Sequence, residues 1–268
     1  MSDAGEALEG FQQSTFTHEG KARDIYRMGS GPAVIVIAEM PGITPKVADF
    51  GRRVADIGCT AVLPHLFGDP GRRMSGGYVA SSILPACVSR EFSCWATRKT
   101  SPVTVWLRAL ARQMHGECGG PGVGAVGMCF TGGFALAMMV DDVLLAPVLS
   151  QPSLPFALSK RHKRDLGISD EDLAQVKARC AAEPELRLLG LRFSNDRLSP
   201  PERFQHLKEE LGDSFVAVEI DSSPGNEWGN RKAAHSVLTE DLKDEPGHPT
   251  KDALDQVLAL FREKLLTN

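Results

Sequence analysis

The chain has 268 residues, 42% hydrophobic and 24% charged, with 30 lysines and arginines against 34 aspartates and glutamates. A chain of this length buries a large apolar core without metal or disulfide staples, and one domain is the expected organisation. The formal charge of −4 supplies no general field for gathering polyanions, which argues against nucleic acid as the main partner.

The start, MSDAGEALEGFQQ, is acidic and polar where a secretory leader would be basic and then apolar, so a cytoplasmic address is expected, with residues 1–13 loosely held. Segments STFTHEG and KARDIYRM before residue 29 predict an antiparallel hairpin at a sheet edge. From residue 33 strands and helices alternate, the pattern of a mostly parallel sheet covered on both faces. The strands are unalternated apolar runs, as doubly buried strands should be: AVIVIA (33–38), TAVLP (60–64), GVGAVGM (122–128), DVLLAPV (142–148), LRLLGLRF (186–193) and SFVAVEI (214–220). None approaches the roughly 20 apolar residues that span a bilayer, so no membrane partner is expected.

Three helices announce their starts by a hydroxyl followed by proline: Thr44-Pro45, Ser101-Pro102 and Ser199-Pro200, the last with Glu202 as its capping-box partner. Gly58, Gly116 and Gly212 follow their apolar stripes. A final amphipathic helix carries Leu254, Leu258, Phe261 and Leu265. Two segments fall outside the alternation. Residues 65–100 form a long connection containing Arg90, Phe92, Trp95 and Arg98, and loops of such length usually have a job. Residues 153–184, after the fourth parallel strand, form a helical insert with the basic run Lys160–Arg164, which suits either a solvated face or a negatively charged substrate. The six cysteines, 59, 87, 94, 118, 129 and 180, never form a CxxC pair and read as separate thiols.

The strongest chemical signal is GMCFTGG (127–133), which follows a buried strand and opens a helix of small and apolar residues. Such a strand-turn-helix elbow holds a nucleophile in a tight conformation, and Gly127 and Gly132 give it room. Cys129 occupies the nucleophile's place, at a helix N-terminus whose Phe130 amide could bind an oxyanion; a free cysteine there could also be only a small buried hydrophobe. An elbow nucleophile needs an acid and then a histidine later in the chain. Asp196 follows the strand at 186–193, where it could equally serve a turn. Of the histidines after it, His206 lies inside a helix and His248 at the start of the last one. His235 lies in a loop after the strand at 214–220. Glu39, in EMPG, leaves the first parallel strand toward the same edge, where a carboxylate after six apolar residues is costly unless paired. Pro41 lacks an amide hydrogen, so a second oxyanion donor at this turn must come from Met40 or Gly42.

Taken in order, EMPG (39–42), GMCFTGG (127–133), NDRLSP (195–200) and AHSV (234–237) give the chain a resemblance to the dienelactone hydrolases of the α/β-hydrolase fold, over roughly residues 14–265. The resemblance implies Cys129 as nucleophile, His235 as general base and acid, Asp196 as its orienting partner, and Met40 and Phe130 as oxyanion donors. It implies that Glu39 contacts the resting thiol. It also implies that a lactone or related ester of a small molecule, neutral or anionic, is cleaved through an acyl-enzyme without metal or organic cofactor. The family's substrate-carboxylate arginines have no match after His235, where the chain reads SVLTEDLK, so the substrate is open. The scaffold would also suit a general carboxylesterase or thioesterase, and an accessible thiol would suit a noncatalytic sensor. The expected assembly is a monomer or homodimer.

Overall fold

A computed structural model describes residues 3–79, 82, 100–154 and 159–267; Cys87, Arg90, Phe92, Cys94, Trp95 and Arg98 lie outside them. Strands β1 (Gln12–His18), β2 (Lys21–Gly29), β3 (Ala33–Ile37), β4 (Thr60–Pro64), β5 (Val123–Met128), β6 (Leu144–Ser150), β7 (Leu188–Phe193) and β8 (Phe215–Ile220) form one sheet ordered β1-β2-β4-β3-β5-β6-β7-β8. The β1–β2 hairpin is antiparallel at one edge and meets β4 antiparallel, and every other neighbour is parallel. This is the α/β sheet that the alternation predicts. All residues of β3, β4 and β5 are buried. Their side chains still divide by parity, because successive residues of a strand point to opposite faces. Ile35 and Ile37 join one apolar layer with Val62 and Ala125, whereas Val34 and Val36 join the other with Leu63 and Val126.

Helices cover both layers. On one side α1 (Pro45–Asp56) buries Val47, Phe50 and Val54, and the C-terminal α7 (Pro249–Phe261) buries Leu254, Val257 and Phe261. On the other lie α2 (Pro102–Cys118), α3 (Gly132–Met138), α5 (Asp170–Ala182) and α6 (Pro201–Leu211). The insert supplies α4 (Lys160–Arg164) and α5. Thr44 Oγ1 accepts the Val47 amide at 3.3 Å and Ser101 Oγ the Thr104 amide at 3.3 Å, so two of the three hydroxyl starts cap as expected. Helix α2 runs past Gly116 and closes at Gly119, with φ +71°.

The third start is displaced by one residue. Pro201 disfavours helical backbone in the residue before it, and Pro200 sits at φ −72°, ψ 154°, as the cap of a helix that begins at Pro201. Ser199 is therefore one position too early to cap, and its buried hydroxyl has no hydrogen-bond partner among the described residues. The capping box with Glu202 does not form; Glu202 pairs instead with Lys163, 3.4 Å away. Among the described residues no helix is long and apolar enough to cross a membrane.

Candidate active site

Parallel strands deliver their carboxyl ends to one edge, and the residues singled out by the motifs converge there. Cys129 follows β5 with φ +54°, a left-handed conformation that is uncommon for a residue with a side chain and is retained only where the surroundings hold it. Those surroundings leave no room for larger neighbours. A Cβ on Gly127 would stand 2.4 Å from the Thr131 carbonyl oxygen, and one on Gly132 would stand 2.6 Å from Pro152 Cβ. Thr131 Oγ1 accepts the Met128 amide at 2.8 Å, and its one hydrogen reaches the Ile37 carbonyl at 2.8 Å or that of Met128 at 2.9 Å. The elbow is thereby tied to the end of β3.

Asp196 and His235 meet across 39 residues of sequence: Asp196 Oδ2 lies 2.6 Å from His235 Nδ1. Asp196 Oδ1 also accepts the Leu198 amide at 2.9 Å, so the carboxylate serves both its own turn and the histidine. Its partner's other nitrogen, His235 Nε2, is buried without a hydrogen-bond partner among the described residues, and His235 lines the same cavity as Cys129. Burial pulls the imidazole pKa down, but the neighbouring Cys129 charge and the Asp196 hydrogen bond outweigh it and leave the value well above the ordinary 6.5. The other two late histidines lie elsewhere: His206 in α6 against the Arg164 carbonyl, and His248 capping α7.

Glu39 reaches the edge, but it does not bond the thiol. Its buried carboxylate accepts Ser236 Oγ at 2.6 Å, Gln151 Nε2 at 3.2 Å and Thr239 Oγ1. It therefore fastens the histidine loop to the ends of β3 and β6. The thiol's hydrogen-bond partner is Ser153, whose Oγ lies 2.9 Å from Sγ. At the EMPG turn the Gly42 amide is spent on the Glu39 carbonyl at 2.7 Å, which leaves Met40 as the amide available to an oxyanion.

Several supporting residues carried no local sequence signal. Asp241 Oδ2 accepts the amides of His235 and Ser236 at 2.8 and 3.1 Å, while its Oδ1 binds Arg231. Gln151, fully buried at φ +39°, accepts the Val237 amide at 3.2 Å. Buried Arg203 donates to the carbonyls of Asp165, Pro152, Leu198 and His162, and burial lowers its pKa to about 10. Only the TED of residues 239–241, polar groups clustered soon after a candidate histidine, could have drawn attention to any of them.

A cavity of about 300 Å³ opens over Cys129, with apolar walls from Met40, Met74, Val79, Phe130, Leu154 and Leu198. The two irregular segments thus contribute to it, through Met74 and Val79 from one and Leu154 from the other. Glu39, Glu240, Asp241 and Arg231 also line it. Burial, and then the charge of Glu39, raises the pKa of Glu240. The basic run of α4 is used elsewhere, where Lys163 and Arg164 pair with Glu202 and Glu209 of α6. Among the described residues no cluster of three metal-ligating side chains occurs.

Comparison with known proteins gives a consistent picture. The sequence profile of the dienelactone hydrolase family matches residues 25–265. Among solved structures, a Klebsiella pneumoniae subsp. pneumoniae MGH 78578 protein assigned as a dienelactone hydrolase is similar at 18% identity and TM-score 0.64, over 94% of this chain and 98% of that one. A dienelactone hydrolase-like promiscuous phosphotriesterase from metagenomic libraries is similar at 16% and 0.61, over 95% and 98%. A dienelactone hydrolase from Anabaena variabilis ATCC 29413 follows at 14% and 0.57, over 96% and 100%. These likenesses establish an α/β-hydrolase-type fold. No curated protein matches the sequence.

Proposed function

Because the chain belongs to the dienelactone hydrolase family, we propose that it is a cysteine-nucleophile hydrolase cleaving small carboxylic esters or lactones through an acyl-enzyme. The observation that carries this reading is the line from Asp196 through His235 Nδ1 to a buried Nε2 that no other described residue engages, in the cavity that holds Cys129. In the proposed cycle the Cys129 thiol gives its proton to Nε2 and the sulfur attacks the substrate carbonyl. The amides of Phe130 and Met40 bind the oxyanion, and the imidazolium returns the proton to the departing alkoxide. Water, deprotonated by the same nitrogen, then cleaves the thioester. Asp196 keeps the imidazole in the orientation and tautomer this requires.

The cavity supports a neutral substrate over an anionic one. Its walls are mostly apolar, and among the described residues the carboxylates of Glu39, Glu240 and Asp241 face a single arginine, whose guanidinium is already bound to Asp241. A fourth carboxylate, brought by the substrate, would add repulsion at short range.

The test is hydrolysis of p-nitrophenyl acetate, p-nitrophenyl butyrate and a small γ-lactone by wild type and Cys129→Ala, with mass spectrometry of the intact protein and its peptides. Turnover by wild type, its loss in the variant and an acyl adduct on Cys129 are expected. Full activity in Cys129→Ala would refute the mechanism. An anionic hemisuccinate ester turned over faster than the butyrate would refute the charge argument alone.

A further inference from the structure

The proposed cycle makes no use of the thiol's contact with Ser153. We propose that Ser153 is a catalytic residue whose hydroxyl donates a hydrogen bond to the Cys129 sulfur once His235 has taken the thiol proton, stabilising the thiolate that attacks the substrate. This deepens the hydrolase reading and rests on it for its role in turnover.

Three observations carry the inference. The Ser153 hydroxyl lies 2.9 Å from Sγ and has no other hydrogen-bond partner among the described residues. It is only 8% exposed, so water competes poorly for it. It is also held from every side: the Ser153 amide donates to the Cys129 carbonyl at 2.9 Å, the Gln151 amide to Leu191 at 2.7 Å, and Arg203 grips the Pro152 carbonyl at 2.8 Å. A preorganised donor costs little to engage when charge appears beside it.

Proton bookkeeping fixes the direction of the bond. While sulfur carries its hydrogen, either atom can donate to the other. When the S–H bond breaks and an N–H bond forms at His235 Nε2, sulfur becomes an acceptor only, and the serine hydrogen is the one left to point at it. No electrons change hands. The raised pKa of His235, with the Cys129 charge as its largest raising cause, shows that the two ends of this transfer feel each other. The arrangement differs from what the family resemblance implies, since Glu39 is committed to Ser236, Thr239 and Gln151 and Ser153 occupies the place beside the thiol.

Hydrogen bonds to charged groups are roughly twice as strong as neutral ones. The test is the rate of iodoacetamide alkylation of Cys129, followed by peptide mass spectrometry from about pH 5 to 9, in wild type, Ser153→Ala and Ser153→Thr. Ser153→Ala should be alkylated about tenfold more slowly near neutrality, with its profile displaced to higher pH by about one unit. Ser153→Thr, which keeps the hydroxyl, should restore most of the rate. Coincident profiles for wild type and Ser153→Ala would overturn the proposal, and so would a loss that Ser153→Thr shares. Ester turnover by the same proteins separates the two readings. If the alkylation pattern holds and no ester is cleaved, the hydrolase reading falls while the Ser153–Cys129 donor stands.

Discussion

Replacing Glu39 tests whether its carboxylate serves structure or the thiol. Glu39 is 1% exposed and accepts three hydrogen bonds, from Ser236, Gln151 and Thr239. In Glu39→Ala all three donors lose their acceptor. The two hydroxyls can rotate toward other acceptors, but the Gln151 amide cannot, and an unsatisfied buried donor costs about 1–3 kcal/mol. The vacated side-chain volume adds about 1–2 kcal/mol, and release from burying a charge offsets part of the sum. The expected net loss is about 3 kcal/mol. Glu39→Gln keeps the shape, accepts from Gln151 and Ser236, and donates to the Thr239 oxygen, so it should fall within about 1 kcal/mol of wild type. Urea unfolding at constant m-value measures both. Ester turnover should survive in Glu39→Gln to within about threefold, or ~0.7 kcal/mol. If Glu39→Ala were as stable as wild type, or if Glu39→Gln were stable but lost turnover entirely, the structural role argued for this carboxylate would be wrong.

Two further outcomes follow from buried groups. Ser199→Ala should stabilise the fold by up to about 1 kcal/mol, read as a higher urea midpoint, because its hydroxyl is buried without a partner among the described residues; a clear destabilisation would reveal a partner. For His235 the folded pKa lies above the unfolded one. Its contribution to stability is therefore complete below about pH 6.5 and is lost as pH rises through the folded value. The urea midpoint should fall more steeply above about pH 6.5 in wild type than in His235→Gln, and parallel slopes would contradict the shift.

Local physics made the frame legible before any contact was known. Ala33–Ile37, Thr60–Pro64 and Val123–Met128 read correctly because a strand buried on both faces leaves an uninterrupted apolar run, and Thr44 and Ser101 because a cap needs only four consecutive residues. Ser199 misled because two prolines compete to begin the helix, and the second one decides. In the site, the elbow geometry follows from the spacing of Gly127, Cys129 and Gly132, and the order of Asp196 and His235 from the chain path. The partners of Glu39 could not be read, since they lie 112, 197 and 200 residues away. Sequence could say that a carboxylate after six apolar residues must be paired, though not with what. Ser153 is an ordinary loop serine until the end of β6 is set beside the elbow.

The four carbonyls held by Arg203 bear on how substrate enters. They belong to the insert, at Asp165 and His162, and to the site's own rim, at Pro152 and Leu198. Asp172 of α5 is bound in turn by Arg108 at 2.7 Å. A hinged cover must separate from what it covers at small cost, and the insert cannot do so without stripping a buried guanidinium of its acceptors. Truncating residues 160–184 should consequently disturb the ground under Cys129 rather than widen its doorway.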